Sequence, residues 1–277
     1  MSQSPGDTHR GAELGSGNPT PAWSRTGSRR SGGRTAVRAA LWLTVIAMLA
    51  TVTWWAAPAL LDRAGLTTSA LPWGPQCTVT LADGDSRGLS RGEARQATTA
   101  VARAATDGGR AEVEGIDPEV LERLQHGPPE DAGPSLTCRA GRTEGLQRQD
   151  MTETGLTPRA ETLLTQIRAV FGDVSVGGFA PGGVEEGHSE DSTHYEGRAI
   201  DIFYRPVTEE NRREGWILAH WLVAHAEEYH VSVVIFDDRI WSVPLSAAGW
   251  RDYDAADPDN EVLRHLDHVH VDVQRGE

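Results

Sequence analysis

Apolar positions recur along this chain in three regimes. From Ala39 to Leu61 they are nearly continuous and carry no charge (AALWLTVIAMLATVTWWAAPALL). A run of that length can span a bilayer as a helix. Trp42 and the pair Trp54-Trp55 stand where interfacial aromatics are expected. From Cys77 to Leu136 the apolar positions are sparse. Thr78-Val79-Thr80-Leu81 reads as a strand, and Ser90-x-x-Glu93 is a capping box opening a helix to about Ala105. Asp117-Pro118 opens a second short helix through Leu124, and Leu136-Thr137-Cys138 reads as a closing strand. Beyond Thr157 the pattern is denser. Ala160, Leu163, Leu164, Ile167, Val170 and Phe171 repeat at helical spacing behind a Thr157 cap and Pro158.

Val174–Phe179 and Ala199–Phe203 read as strands, and Thr208 caps a long helix to about Tyr229 with Ile217, Leu218, Trp221 and Leu222 inward. Val231–Phe236 and Arg239–Val243 read as a hairpin around Asp237-Asp238, residues 250–264 as a loop and His268–Val273 as a last strand. Helices packed on a mixed or antiparallel sheet make this part α+β. The chain divides into a disordered tail 1–38, a transmembrane helix 39–61, a stalk 62–76, a small bridged α/β unit 77–140, a linker 141–156 and a larger domain 157–277.

Charge sharpens the picture. There is no Lys, so all 26 basic residues are Arg, and the net charge is −14. The tail carries six Arg against Asp7 and Glu13, or +4, which leaves −18 on the remainder. Positive flanks stay inside, so the tail is read as cytoplasmic and everything beyond Asp62 as extracytoplasmic. A cleaved signal peptide ending at Ala57-Pro58-Ala59 and a buried core helix are the competing readings of the apolar run. So acidic an exterior argues against nucleic acid as a partner. The two cysteines, Cys77 and Cys138, fit a single disulfide closing a loop of about 60 residues, worth roughly 4 kcal/mol in the chain-entropy model. A metal or redox pair is the alternative.

The chemistry concentrates in two places. Ser192-Thr-His194-Tyr-Glu-Gly197-Arg-Ala199-Ile-Asp201 sets an imidazole and a carboxylate seven residues apart around a Gly. Both are ordinary Zn²⁺ ligands. Asp267-His268-Val-His270-Val-Asp272 is an alternating strand with both histidines on one face. A surface ion pair beside a Gly turn and a satisfied strand histidine are the bland readings. No elbow motif surrounds Ser192, so it is not a nucleophile.

Together these residues resemble the zinc D-alanyl-D-alanine metallopeptidases of the VanX/VanY kind, a group shared with the penicillin-insensitive murein endopeptidases and the hedgehog signalling domain. The resemblance covers roughly residues 157–273. It implies a Zn²⁺ cofactor held by His194, Asp201 and His270, with Ser192 supporting them. It implies a carboxylate base at Asp267, with Glu261 as rival, and a site role for His268 in steadying the oxyanion or orienting water. It also implies D,D-carboxypeptidase- or endopeptidase-like hydrolysis of peptidoglycan stem peptides at the cell membrane. Two positions depart from the family: Asp267 replaces the usual Glu, and Ala180 stands where a substrate-binding Arg is expected, with Arg198 and Arg205 nearby. A non-catalytic zinc-containing wall-binding or signalling module is therefore the alternative, with the hedgehog domain as the precedent. His188, on the acidic loop, is read as solvated, and His220, His225 and His230 as packing or surface. Trp241 and Trp250 are read as core or cleft wall, and Asp272 either as a group that orients one of the histidines or as an exposed strand-end carboxylate.

Overall fold

The computed structural model describes residues 74–127, 133–180 and 191–277. Contacts divide the chain into Met1–Trp55 and Ala56–Glu277, and every described residue belongs to the second unit. The tail, the apolar run 39–61, most of the stalk and His188 lie outside the described residues. Among those described, no helix is long and apolar enough to cross a membrane.

The order is β1 (Cys77–Thr80), β2 (Ser86–Leu89), α1 (Arg91–Asp107), α2 (Pro118–His126), β3 (Leu136–Cys138), α3 (Pro158–Phe171), β4 (Val176–Gly177), β5 (Ala199–Phe203), α4 (Glu209–Ala224), β6 (Val231–Phe236), β7 (Arg239–Ser242), β8 (Arg251–Asp252) and β9 (His268–Val273). Short 3₁₀ turns cover Thr193–Glu196 and Val243–Ala248. The fold is α+β with two antiparallel sheets, β2-β1-β3 and β4-β5-β9-β6-β7-β8.

The helix starts follow the local chemistry of their caps. Ser90 and Glu93 form both halves of the capping box on α1. Thr157 and Thr208 accept from Ala160 and Asn211 amides. Asp237 and Asp238 both take left-handed φ (54° and 57°), as a two-residue hairpin turn requires. The Asp237 carboxylate then binds Arg212 Nε (2.6 Å) and Trp216 Nε1 (2.9 Å), tying the turn to α4.

Three elements differ from expectation. The strand expected over Val174–Phe179 shrinks to Val176–Gly177, because Gly178 turns at φ +78°. The helix expected to reach Tyr229 ends at Ala224, where the His225 backbone and Nδ1 both bond the Trp221 carbonyl. The strand β2 has no apolar alternation and was not expected.

Cys77 and Cys138 lie opposite each other in the β1/β3 register and form the disulfide, 61 residues apart in sequence. The bridged unit packs closely on the larger sheet's helix. Residues Gly215–Ala224 of α4 are buried all round, with β6 and β9 on one side and α1 on the other. Each large apolar side chain so buried contributes about 1.5–3 kcal/mol. Trp221 Nε1 bonds Thr99, Trp241 Nε1 bonds the Cys138 carbonyl (3.1 Å) and Trp250 Nε1 the Leu136 carbonyl (2.8 Å). Both Trp241 and Trp250 are therefore packing residues. His230 Nδ1 meets Thr143 Oγ1.

His220 is buried in this contact. Its Nε2 accepts the Ser135 N–H (2.9 Å), which requires a neutral ring, and burial pulls its pKa down to about 3, with Arg123 adding to the shift. The unfolded chain takes up a proton near pH 6.5 and the folded one does not. Stability is therefore constant above that pH and falls as pH drops towards 3. Between pH 7 and 5 the loss from His220 is about 2 kcal/mol. Urea denaturation of wild type and His220→Gln at both pH values checks this, the variant showing the shallower acid loss.

Candidate metal centre

The last strand, β9, enters the middle of the large sheet between β5 and β6. The β5/β9 register sets Asp201 opposite His270, Phe203 opposite His268 and Ala199 opposite Asp272. The two distant motifs thereby become cross-strand neighbours on one sheet face. Val269, Val271 and Val273 fill the opposite face and are fully buried.

His194 comes from the side. It sits in the 3₁₀ turn Thr193–Glu196, which Ser192 caps by accepting the His194 N–H (3.4 Å). Gly197 closes the turn at φ +64°, where an added Cβ would strike the Gly155 carbonyl at 2.6 Å. Gly is thus needed there for both conformation and space.

His194, Asp201 and His270 are buried and form a cluster that can hold a metal ion. His194 Nε2 lies 3.1 Å from His270 Nδ1 and 3.5 Å from Asp201 Oδ1, and His270 Nδ1 lies 3.0 Å from Asp201 Oδ1. Tetrahedral bonds of 2.0–2.1 Å put ligand atoms roughly 3.3 Å apart. The donor triangle fits that spacing, and three protein donors leave a fourth position.

The outer hydrogen bonds select the nitrogens. His194 Nδ1 donates to the Gly178 carbonyl (2.5 Å), so Nε2 offers its lone pair inward. His270 Nε2 donates to Asp272 Oδ1 (2.9 Å), so Nδ1 is the inward donor. Asp272 also accepts from Thr193 Oγ1 (2.5 Å).

The electrostatics favour positive charge. Without metal, burial would lower the His270 pKa, but Asp272 and Asp201 outweigh it and push it up to about 10. Burial would raise Asp201, but His270 and its neighbours bring it down to about 2. Asp272 is likewise held below the ordinary carboxylate range by His270 against its burial. A pocket that holds a buried imidazolium between two carboxylates also suits a metal cation, which would release that proton on binding. Asp272→Ala is expected to weaken metal binding about 10- to 100-fold. A competitive titration with a chromophoric chelator measures this.

His268 shares the face, with Nε2 3.7 Å from Asp201 Oδ1 and Nδ1 2.7 Å from Asp267 Oδ1. The second oxygen of Asp267 accepts from Arg205 Nε (2.5 Å), so both carboxylate oxygens are engaged. Glu261 is exposed on the preceding loop. Arg198 is tied to Glu196 and to the Val273 carbonyl. Ala180 lines a cleft beside Val176, Gly177 and Phe179.

Two contributors escaped the sequence reading. Thr193 is one. The other is His265, whose ring centroid lies 4.7 Å from that of His268 and 5.6 Å from that of His270. Burial, with His270 and His268, takes its pKa down to about 3. Its Nδ1 donates to the Leu263 carbonyl (3.1 Å), which leaves Nε2 as an acceptor. His265 lies outside the strand in a turn with φ +56°, so alternation could not flag it. Its spacing of three from His268 was the one available signal.

Residues 152–262 match the family model described as VldE, C-terminal domain. The matched stretch carries His194 and Asp201 and stops before His268 and His270. No curated protein and no solved structure matches the chain.

Proposed function

We propose that this chain is a membrane-anchored, extracytoplasmic zinc metallopeptidase that hydrolyses amide bonds in peptidoglycan stem peptides. The observation that carries the reading is the buried His194–Asp201–His270 triangle, with its tetrahedral spacing and with both imidazoles fixed from outside. The wall substrate comes from the sequence resemblance, and the anchor from the apolar run at 39–61.

A Zn²⁺ bound there supplies Lewis acidity and draws the pKa of a water towards neutrality. The rest falls to the chain's own groups. Gly178 and the Thr193–Asp272 pair keep His194 and His270 in their inward tautomers. His268, oriented by Asp267, faces the site through Nε2 and is placed to move a proton between water and the leaving amine. Asp267 and His268 act in this account as one unit, the carboxylate stabilising the charged ring. His265 offers a neutral acceptor beside them.

The test is stem-peptide cleavage by the zinc-loaded protein. Wild type is expected to cleave, and Asp267→Asn to keep its zinc and lose about 10²-fold or more in kcat. One observation favours the second reading, a zinc-containing binding or signalling module: both Asp267 oxygens are already engaged. Stoichiometric zinc with no cleavage of any stem peptide would support that module and overturn the peptidase.

A further inference from the structure

Far from the metal cluster, Arg123 and His220 share one contact between the bridged unit and the helix of the large sheet. Three hydrogen bonds in series join them. Arg123 Nε, on α2, donates to the Thr80 carbonyl (2.8 Å), the Thr80 N–H donates to the Ser135 carbonyl (2.9 Å), and the Ser135 N–H donates to His220 Nε2 on α4 (2.9 Å). Each side chain is thus fixed at one nitrogen and keeps another without a partner. Because Nε2 accepts, the His220 proton sits on Nδ1. That N–H belongs to a residue only 2% exposed and meets no acceptor. Arg123 Nη1 is buried and equally unpartnered. Among the described residues no carboxylate pairs with Arg123, and burial alone draws its pKa below the ordinary arginine value. The two groups are close enough for the Arg123 charge to act on His220.

We infer that Arg123 and His220 form a binding site for one small monovalent anion of the halide class, held between α2 and α4. A buried donor costs its full desolvation when nothing accepts from it, and a charged one costs more. Here two such donors stand at one contact, in a chain with 40 acidic residues against 26 Arg, and neither has drawn a carboxylate among the described residues. One guanidinium and one neutral N–H balance a single negative charge. The Trp216 ring, 5.5 Å from that of His220, makes one side of the place apolar. A weakly hydrated monovalent ion suits those surroundings better than phosphate or sulfate. The ion plays no part in hydrolysis; it clamps the bridged unit to α4. The rival occupant is a buried water, which satisfies the donors without charge.

The experiment is urea unfolding of the metal-free full-length protein at about pH 8, where His220 is neutral folded and unfolded. Sodium chloride is varied, and sodium gluconate holds the ionic strength constant. An ion bound only by the folded state lowers the unfolding constant in proportion to its concentration once the site fills. Wild type is expected to show about a 10-fold fall in that constant for each tenfold rise in chloride above its Kd. Bromide is expected to act in the same way. Arg123→Gln is expected to show no chloride dependence, whatever its absolute stability, because the response is read as a slope. Should that variant fail to fold, chloride NMR line broadening on wild type gives a direct reading, with one saturable site that bromide displaces. A wild-type stability indifferent to chloride overturns the inference, and is the result that a buried water or a carboxylate of the chain in that place would give. A slope that survives Arg123→Gln, or line broadening that neither saturates nor yields to bromide, overturns it as well.

Discussion

Gly178→Ala is expected to weaken metal binding by about 100-fold or more while leaving the fold intact. The backbone there turns at φ +78°, which an L side chain adopts at a cost of about 1 kcal/mol or more. Space is the larger obstacle. An added Cβ would lie 2.5 Å from His194 Cε1 and 2.7 Å from Asp201 Oδ2. Two of the three donors would have to move, and the carbonyl that orients His194 would move with them. Outer-shell losses alone typically weaken a metal site 10–100-fold, so about 100-fold is the lower expectation here. Chelator competition gives the affinity, and thermal melting of the metal-free variant gives the folding cost. An affinity within a few-fold of wild type would mean that His194 and Asp201 do not both ligate.

Removing the disulfide is the second large effect. The bridge spans 61 residues of sequence, and a closed loop of that size is worth about 4 kcal/mol in the chain-entropy model. Both sulfurs are buried, so Cys77→Ala/Cys138→Ala is the cleaner pair. For a folded portion of roughly 200 residues the loss corresponds to a Tm drop of about 10 °C. The effect reaches the larger sheet, because β3 meets α4 and accepts from Trp241 and Trp250. A single cooperative transition at lower temperature is therefore expected. A Tm within 2 °C of wild type, or separate melting of the two sheets, would contradict that coupling.

What the chain disclosed in advance follows from periodicity and local chemistry. The Ser90–Glu93 box, the Thr157 and Thr208 caps and the Asp237-Asp238 turn are short-range devices, and each appears where its residues predict. The His-x-His alternation placed His268 and His270 on one face, and Asp272 with them. Their meeting with Asp201 depends on β9 inserting between β5 and β6, a pairing that no local pattern specifies. The all-round burial of α4 also needed tertiary information. Its sequence shows one apolar face, while α1 from the bridged unit covers the other. His265 and Thr193 entered the site through a left-handed turn and a 3₁₀ turn, where neither 3.6 nor 2 is the period. The sequence places Arg205, like Arg198, only in the neighbourhood of Ala180, and the Phe203 and Asp267 contacts give it a position.

The central claim is that His194, Asp201 and His270 hold one zinc ion, and metal stoichiometry tests it most directly. The account predicts one zinc per chain after equilibration and removal of excess, with a spectroscopic shell of nitrogen and oxygen donors and no sulfur. It predicts loss of that zinc in His194→Ala and in His270→Ala, with secondary structure retained in both. A wild-type protein that takes up no zinc, or a stoichiometric zinc that survives both substitutions, would contradict it.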